Sequence, residues 1–268
     1  MSEPRYPGAL LAAARRVLAA PRAALLTDLD GTLSAIVPRP ELAVVRPGVR
    51  RALRALRASL ALVAVLSGRR AAEARRLVGV AGVVYVGNHG LEAVVGRRRW
   101  VHPEAAAFAP RLARVLAAVE ARLARDDLYY EAKGLTASIH YRGAAAPARA
   151  RAAILQALAE LREARDVRVT EGRCVVELRP PVAASKGSAV ACLLRRYAVQ
   201  AVLFLGDDRT DLDAVRVLQQ ARARGEVRGL AVAVASSETP PELLAEADAT
   251  VDGVAGVEAL LGSLAATR

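Results

Sequence analysis

Short, almost unbroken apolar runs alternate along this chain with stretches whose apolar residues recur every three to four positions. Residues 23–30 (AALLTDLD), 59–69 (SLALVAVLSGR) and 82–90 (GVVYVGNHG) are such runs, each ending in polar or charged residues. Continuous apolar strands bounded by turns are those buried on both faces, and helices between them indicate a parallel sheet covered on each side. Pro47, after Arg46, is placed for a first helical turn. The same rhythm returns after Lys186: a helix, the strand AVLFLGD, a helix from Thr210, the strand GLAVAVA, then a short strand and helix. Between these halves the pattern changes. Residues 91–102 read as a hairpin, 103–125 as a long helix, 128–142 as two strands turning near Gly134, 147–164 as a helix, and 167–180 as a hairpin turning near Gly172. The expected fold class is α/β: a Rossmann-like parallel-sheet core formed by residues 1–90 and 181–268, interrupted by an inserted α/β domain at 91–180.

Composition narrows the class of molecule. A hydrophobic content of 54% supplies a core and excludes disorder, while only 3% aromatic residues leave Ala, Val and Leu to build it. No apolar run reaches the length of a membrane span. The N-terminal stretch mixes arginine with small apolar residues in helical rhythm, which is not the layout of a secretory signal. Cys174 and Cys192 lie singly in apolar stretches and read as core residues of a reducing, cytoplasmic compartment. The net charge of +12 is spread over amphipathic helices rather than gathered in one aromatic-interleaved tract, so neither nucleic acid nor a membrane is the expected partner. Of 39 basic residues only Lys133 and Lys186 are lysine. An ammonium is a compact, mobile point charge that a guanidinium does not imitate, which marks these two positions for chemistry.

In parallel sheets ligands bind beyond the carboxyl ends of the strands, and four such ends here carry polar groups. DLDGTL places Asp28 and Asp30 around a turn permitted by Gly31. Asp28 could attack phosphorus while Asp30 exchanges a proton with the leaving oxygen, and Thr32 and turn N–H groups could donate to phosphoryl oxygens. A lone DxD reads more readily as an Asx turn capping the following loop. Its companions are Ser67, a hydroxyl donor; Lys186, a cation at a helix start; and Asp207, Asp208 and Asp211, carboxylates that repel one another unless they serve a cation. Oxygen-only ligands suit magnesium.

The order DLDGTL, LSGR, SKG and GDDRTD resembles the haloacid dehalogenase (HAD) superfamily of phosphatases across essentially the whole chain. GNHGLE, EAKGLTASIHYR, VVELRP and GDDRTDLDA resemble, more narrowly, the trehalose-6-phosphate phosphatases. The resemblance implies Asp28 as nucleophile, Asp30 as acid/base, and Ser67 and Lys186 as phosphate ligands. It implies Mg2+ held by Asp28, the Asp30 carbonyl and Asp207, with Asp211 and Asp208 in support. The inserted block becomes a cap, and Arg69, Asn88, His89, Glu131, Lys133, His140, Arg142 and Glu177 become substrate-binding groups. Read from the residues alone, Glu131 and Lys133 share a strand face and could grip vicinal hydroxyls or form a surface ion pair; His140 and Arg142 are equally open. One departure is Leu212, where that family usually has an acidic residue.

The expected activity is hydrolysis of trehalose 6-phosphate by a cytoplasmic monomer, with a trehalose-phosphate synthase as a possible docking partner. The rivals are capped phosphatases acting on sucrose phosphate or mannosyl-3-phosphoglycerate, phosphomutases, and non-catalytic sugar-phosphate sensors.

Overall fold

The computed structural model describes residues 7–37, 39–172 and 174–266, so the first six residues of the arginine-rich N-terminal stretch lie outside the described part. The chain divides into two compact units, one built from the chain up to Trp100 and from Ala184 onward, the other spanning Val101–Ala183.

The first unit holds an eight-stranded sheet: β1 (Ala23–Asp28), β2 (Leu62–Leu66), β3 (Val84–Gly87), β4 (Glu92–Val95), β5 (Arg98–Val101), β10 (Ala201–Gly206), β11 (Arg228–Ala235) and β12 (Ala249–Asp252). Their order is β12-β11-β10-β1-β2-β3-β4-β5. The six strands from β12 to β3 are parallel, and β4 joins β3 antiparallel. Although β1 is apolar as far as Leu26 and β2 throughout, alternate residues serve two different cores. Leu25, Val63, Val65, Leu203 and Val232 pack with α1 (Gly8–Leu18), α2 (Pro47–Ser59), α3 (Ala71–Val78) and α9 (Gly253–Ala265). Leu26, Ala64, Leu66, Phe204 and Ala233 pack on the other face with α6 (Lys186–Arg196), α7 (Arg209–Ala223) and α8 (Pro241–Glu246). A sheet covered on both sides is the physical reason the strands read as unbroken apolar runs.

The second unit is a four-stranded antiparallel sheet, order β6-β7-β9-β8, formed by β6 (Tyr129–Ala132), β7 (Ala137–His140), β8 (Arg168–Gly172) and β9 (Val175–Arg179). One face, with Ala137, Ile139, Val176 and Leu178, packs on α4 (Pro103–Leu123) and α5 (Pro147–Glu160) through Leu112, Val115, Val119, Ala150 and Ile154. The other face carries the polar residues.

Two sequence expectations are corrected. The hairpin at 91–102 belongs to the large sheet, not the inserted block. Val86 pairs with Ala93 and Gly87 with Glu92, because β4 completes the exposed edge of β3. The units accordingly divide near Trp100 and Ala184. Cys174 is half-buried and Cys192 exposed, both as free thiols; Cys192 falls on the solvent side of α6, whose buried stripe is Lys186, Gly187, Val190, Leu193 and Leu194. Among the described residues no helix is long and apolar enough to cross a membrane.

Candidate active site

Strand register alone assembles the first unit's polar groups. Asp28 pairs with Leu66, so Ser67 follows one residue beyond that level. Leu66 pairs with Val86, which puts Gly87 level with Ser67 and Asn88-His89 just past it. Thr27 pairs with Leu205, so Gly206 is level with Asp28 and Asp207 comes next. Four strand ends thus deliver their polar groups to one edge of the sheet.

At that edge Asp28, Asp207 and Asp211 can each present a carboxylate oxygen within 4.8 Å of the others, all three residues buried. Lys186 donates from Nζ to Asp28 Oδ1 at 2.5 Å and to Asp211 Oδ1 at 2.7 Å. A cation at the first residue of α6 opposes the helix dipole by about 0.3–1 kcal/mol. Two charge-assisted hydrogen bonds, at about 1.5–3 kcal/mol each, outweigh that cost. Ser185 and Ser188 cap the same helix reciprocally, Ser188 N–H to Ser185 Oγ and Ser185 N–H to Ser188 Oγ, which fixes Lys186 in place. Burial alone would pull the Lys186 ammonium down, but the Asp211 and Asp28 carboxylates more than reverse this and hold it well above its usual range. For Asp28, burial raises the carboxyl well above its ordinary value; Asp211 and Asp207 add to the rise, and Lys186 only partly offsets it. Three carboxylates against one ammonium leave a deficit of positive charge.

The donor set fits a divalent cation with oxygen ligands. The backbone also leaves room for it. Gly31 has φ +92, and a Cβ there would lie 2.0 Å from Asp207 Oδ2, so only glycine permits this approach of the DLDGTL turn to the carboxylate. Thr32 donates to Asp207 Oδ1 at 2.8 Å. Asp211 is more fully committed. Its Oδ2 accepts the N–H groups of Asp207 and Asp208 at 3.0 and 2.9 Å, and its Oδ1 takes Lys186. Asp28 and Asp207 are therefore the residues that could hold such an ion directly, while Asp211 fixes the Asp207 backbone and, through Lys186, reaches Asp28. Asp208, half-exposed, is the N-cap of α7 and stands outside the group of three.

Ser67 is buried, and its Oγ accepts the Arg69 N–H at 3.1 Å. Arg69 grips Asp30 with a two-pronged ion pair, Nε to Oδ2 and Nη2 to Oδ1, both 2.7 Å, and its Nη1 donates to the Pro40 carbonyl at 2.8 Å. Asn88 is fully buried and donates to Glu92 Oε1 at 2.9 Å. His89, with φ 54, sets its ring against Gly68, where a Cβ would meet Nε2 at 2.6 Å. Glu92 was not anticipated by the sequence reading. It is 2% exposed and also takes the Ala71 N–H and Arg99, which ties β4 to the start of α3. Its position in GNHGLE was the available signal.

The second unit brings together Glu131, Lys133, His140 and Glu177. Register aligns Glu131, Ser138, Glu177 and Thr170 in one row across all four strands. Lys133 Nζ lies 3.2 Å from Glu177 Oε1 and 3.7 Å from Glu131 Oε2. His140 Nε2 is 2.9 Å from Glu131 Oε2, and Ser138 donates to Glu177 at 3.3 Å. Arg142 lies beyond the end of β7, half-buried. Ser138 was missed, although strict alternation puts it on the face of His140, two residues on.

A doubly covered parallel sheet with polar groups at its strand ends and a second α/β unit inserted in the chain is the architecture that the resemblance to HAD phosphatases implies. The sequence pattern described as Trehalose-phosphatase matches residues 26–248. The chain therefore belongs to the trehalose-phosphatase family. Trehalose-phosphate phosphatase of Mycobacterium marinum is 38% identical over 205 residues, covering 74% of this chain and 52% of that protein. An uncharacterized glycosyl hydrolase of Mycobacterium tuberculosis is 38% identical over 210 residues, covering 75% of this chain but 16% of that protein. This chain thus spans about half or less of the curated relatives it matches. The C-terminal domain of the C. albicans trehalose-6-phosphate phosphatase has the same fold, with a TM-score of 0.78 and 22% identity over 99% of both chains.

Proposed function

We propose that the chain is a magnesium-dependent phosphatase that hydrolyses trehalose 6-phosphate through a phosphoryl group carried on Asp28. The observation that carries this reading is the Lys186 bridge between Asp28 and Asp211, buried at the ends of parallel strands. A magnesium ion, when bound by Asp28 and Asp207, supplies charge neutralisation for the carboxylates and the transferring phosphoryl oxygens. Lys186 keeps Asp28 oriented and adds positive charge. Ser67 is already an acceptor for a backbone N–H, so its own proton is available to a phosphoryl oxygen. The Asp28 carboxylate forms the new P–O bond as the ester P–O bond breaks, and Asp30 gives its proton to the departing sugar oxygen. In the second step Asp30, now ionised, takes a proton from water as that water attacks the phosphoaspartate; phosphate leaves and Asp28 is restored.

For the second unit the reading assigns Glu131, Lys133 and Glu177, with His140 and Arg142, to the sugar hydroxyls. A row of acceptors and donors on a pleated sheet is a suitable surface for them. It also takes the enzyme to be a cytoplasmic monomer, with a trehalose-phosphate synthase as candidate partner.

The test is phosphate release from trehalose 6-phosphate, sucrose 6-phosphate, glucose 6-phosphate and mannosyl-3-phosphoglycerate, with magnesium and with chelator. We expect a magnesium-dependent preference for trehalose 6-phosphate of about a hundredfold, or about 2.7 kcal/mol. Preference for another sugar would overturn the substrate assignment, and no release at all would overturn the enzyme.

A further inference from the structure

We propose that Arg69 is a positioning residue that clamps Asp30 for proton exchange with the leaving oxygen. This rests on the phosphatase reading and replaces the expectation, from resemblance, that Arg69 faces the substrate.

The geometry is specific. Each Asp30 carboxylate oxygen accepts one prong of the Arg69 fork at 2.7 Å. The third guanidinium nitrogen is tied to the Pro40 carbonyl at 2.8 Å, so the fork is held from behind by a group independent of Asp30. The Arg69 backbone is fixed as well: its N–H donates to Ser67 Oγ at 3.1 Å, and its carbonyl accepts the Asn88 N–H at 2.7 Å. All three side-chain nitrogens are thus engaged within the protein, which suits a brace better than a substrate ligand. The Arg69 side chain is also the more buried partner, 13% exposed against 29% for Asp30.

Asp30 needs such a brace. It lies past the end of β1, where the chain turns through Gly31, and a carboxylate on a turn can rotate about both side-chain torsions. A two-pronged guanidinium fixes the carboxylate plane as well as its position, which a lysine point charge does not. Each oxygen keeps a further lone-pair direction, so Asp30 can pass a proton to the leaving oxygen and recover it from water without leaving the clamp. Positioning of this kind matters because misplacement of a reacting group by about 1 Å can cost about a hundredfold.

The test measures kcat/KM for phenyl phosphates of graded leaving-group basicity, with trehalose 6-phosphate alongside, for wild type, Arg69→Lys and Arg69→Gln. This parameter reports events up to transfer onto Asp28, where an acid is needed only if the leaving oxygen is basic. On 2,4-dinitrophenyl phosphate both variants should stay within about threefold of wild type. On phenyl phosphate and trehalose 6-phosphate they should fall by about 10- to 100-fold, a large part of what a general acid supplies. In an Asp30→Asn background, Arg69→Lys should add no further leaving-group dependence. Thermal unfolding identifies any variant that does not fold, and the second substitution then carries the comparison. A parallel loss across the whole series, or an undiminished effect in the Asp30→Asn background, would overturn the clamp. Wild-type protein that releases phosphate from none of these esters would instead overturn the phosphatase reading.

Discussion

The two lysines of the chain stand in two buried charge clusters that differ in kind. Around Lys186, at the ends of parallel strands, three carboxylates converge and two of them share one ammonium, and burial together with the excess negative charge holds Asp28 well above its ordinary range. Around Lys133, on the polar face of an antiparallel sheet, two carboxylates and a hydroxyl lie in register, with an imidazole two residues further along β7, and these groups largely satisfy one another. Convergence comes from strand ends meeting at one edge, and a charge imbalance there calls for a cation and can drive chemistry. A flat array comes from period-two alternation, and donors and acceptors already paired along it suit hydrogen bonding to a neutral, hydroxyl-rich ligand. In an arginine-rich chain, lysine has been kept where a small cation must sit between carboxylates.

The largest expected effect comes from the unbalanced cluster. Asp28→Asn should reduce turnover by about 10⁴-fold or more, in the range found when a covalent nucleophile is removed, while the thermal midpoint shows a folded protein. Metal removal separates the clusters next. Magnesium at tenfold over its dissociation constant should stabilise the wild type by about 1.4 kcal/mol, a thermal shift of a few degrees. Asp207→Asn should lose that shift, whereas Glu177→Gln should keep it. Glu131→Ala and Lys133→Ala should weaken kcat/KM for trehalose 6-phosphate by about 10- to 100-fold, the worth of a charged hydrogen bond, and leave phenyl phosphate nearly unchanged; equal losses on both would erase the distinction between the clusters. The smallest effects are those of the neutral donors. Thr32→Val should cost about 1 kcal/mol, read as weaker magnesium binding, and Ser138→Ala should raise the KM for trehalose 6-phosphate a few-fold without altering the magnesium response.

What could be seen in the sequence follows the same division. The strands β1, β2 and β3 were legible because burial on both faces leaves no polar residue until the strand ends, and those ends are where Asp28, Ser67 and Asn88 lie. Lys133 and Lys186 stood out by composition alone. The partner of β4 was not legible: alternation fixes which face of a hairpin is buried but not which sheet edge receives it. Nor was the Arg69–Asp30 pair, whose residues are 39 apart in the chain and meet only through the fold. The two cysteines show the limit of apolar context, since Cys192 sits among aliphatic residues yet takes the exposed side of α6. Asp208 and Asp211 were equivalent as carboxylates in one motif. The capping box separates them, with Asp211 turned inward to Lys186 and the helix N–H groups and Asp208 at the half-exposed cap.

The central claim, that Asp28 carries the phosphoryl group, is tested most directly by rapid acid quenching during turnover of trehalose 6-phosphate with magnesium, followed by mass spectrometry of the peptide containing Asp28. The account predicts a phosphoryl group on that aspartate at the earliest times, decaying as free phosphate appears and absent from Asp28→Asn. Phosphate released at the full rate, with no phosphorylated Asp28 at any time point and appreciable turnover remaining in Asp28→Asn, would contradict it.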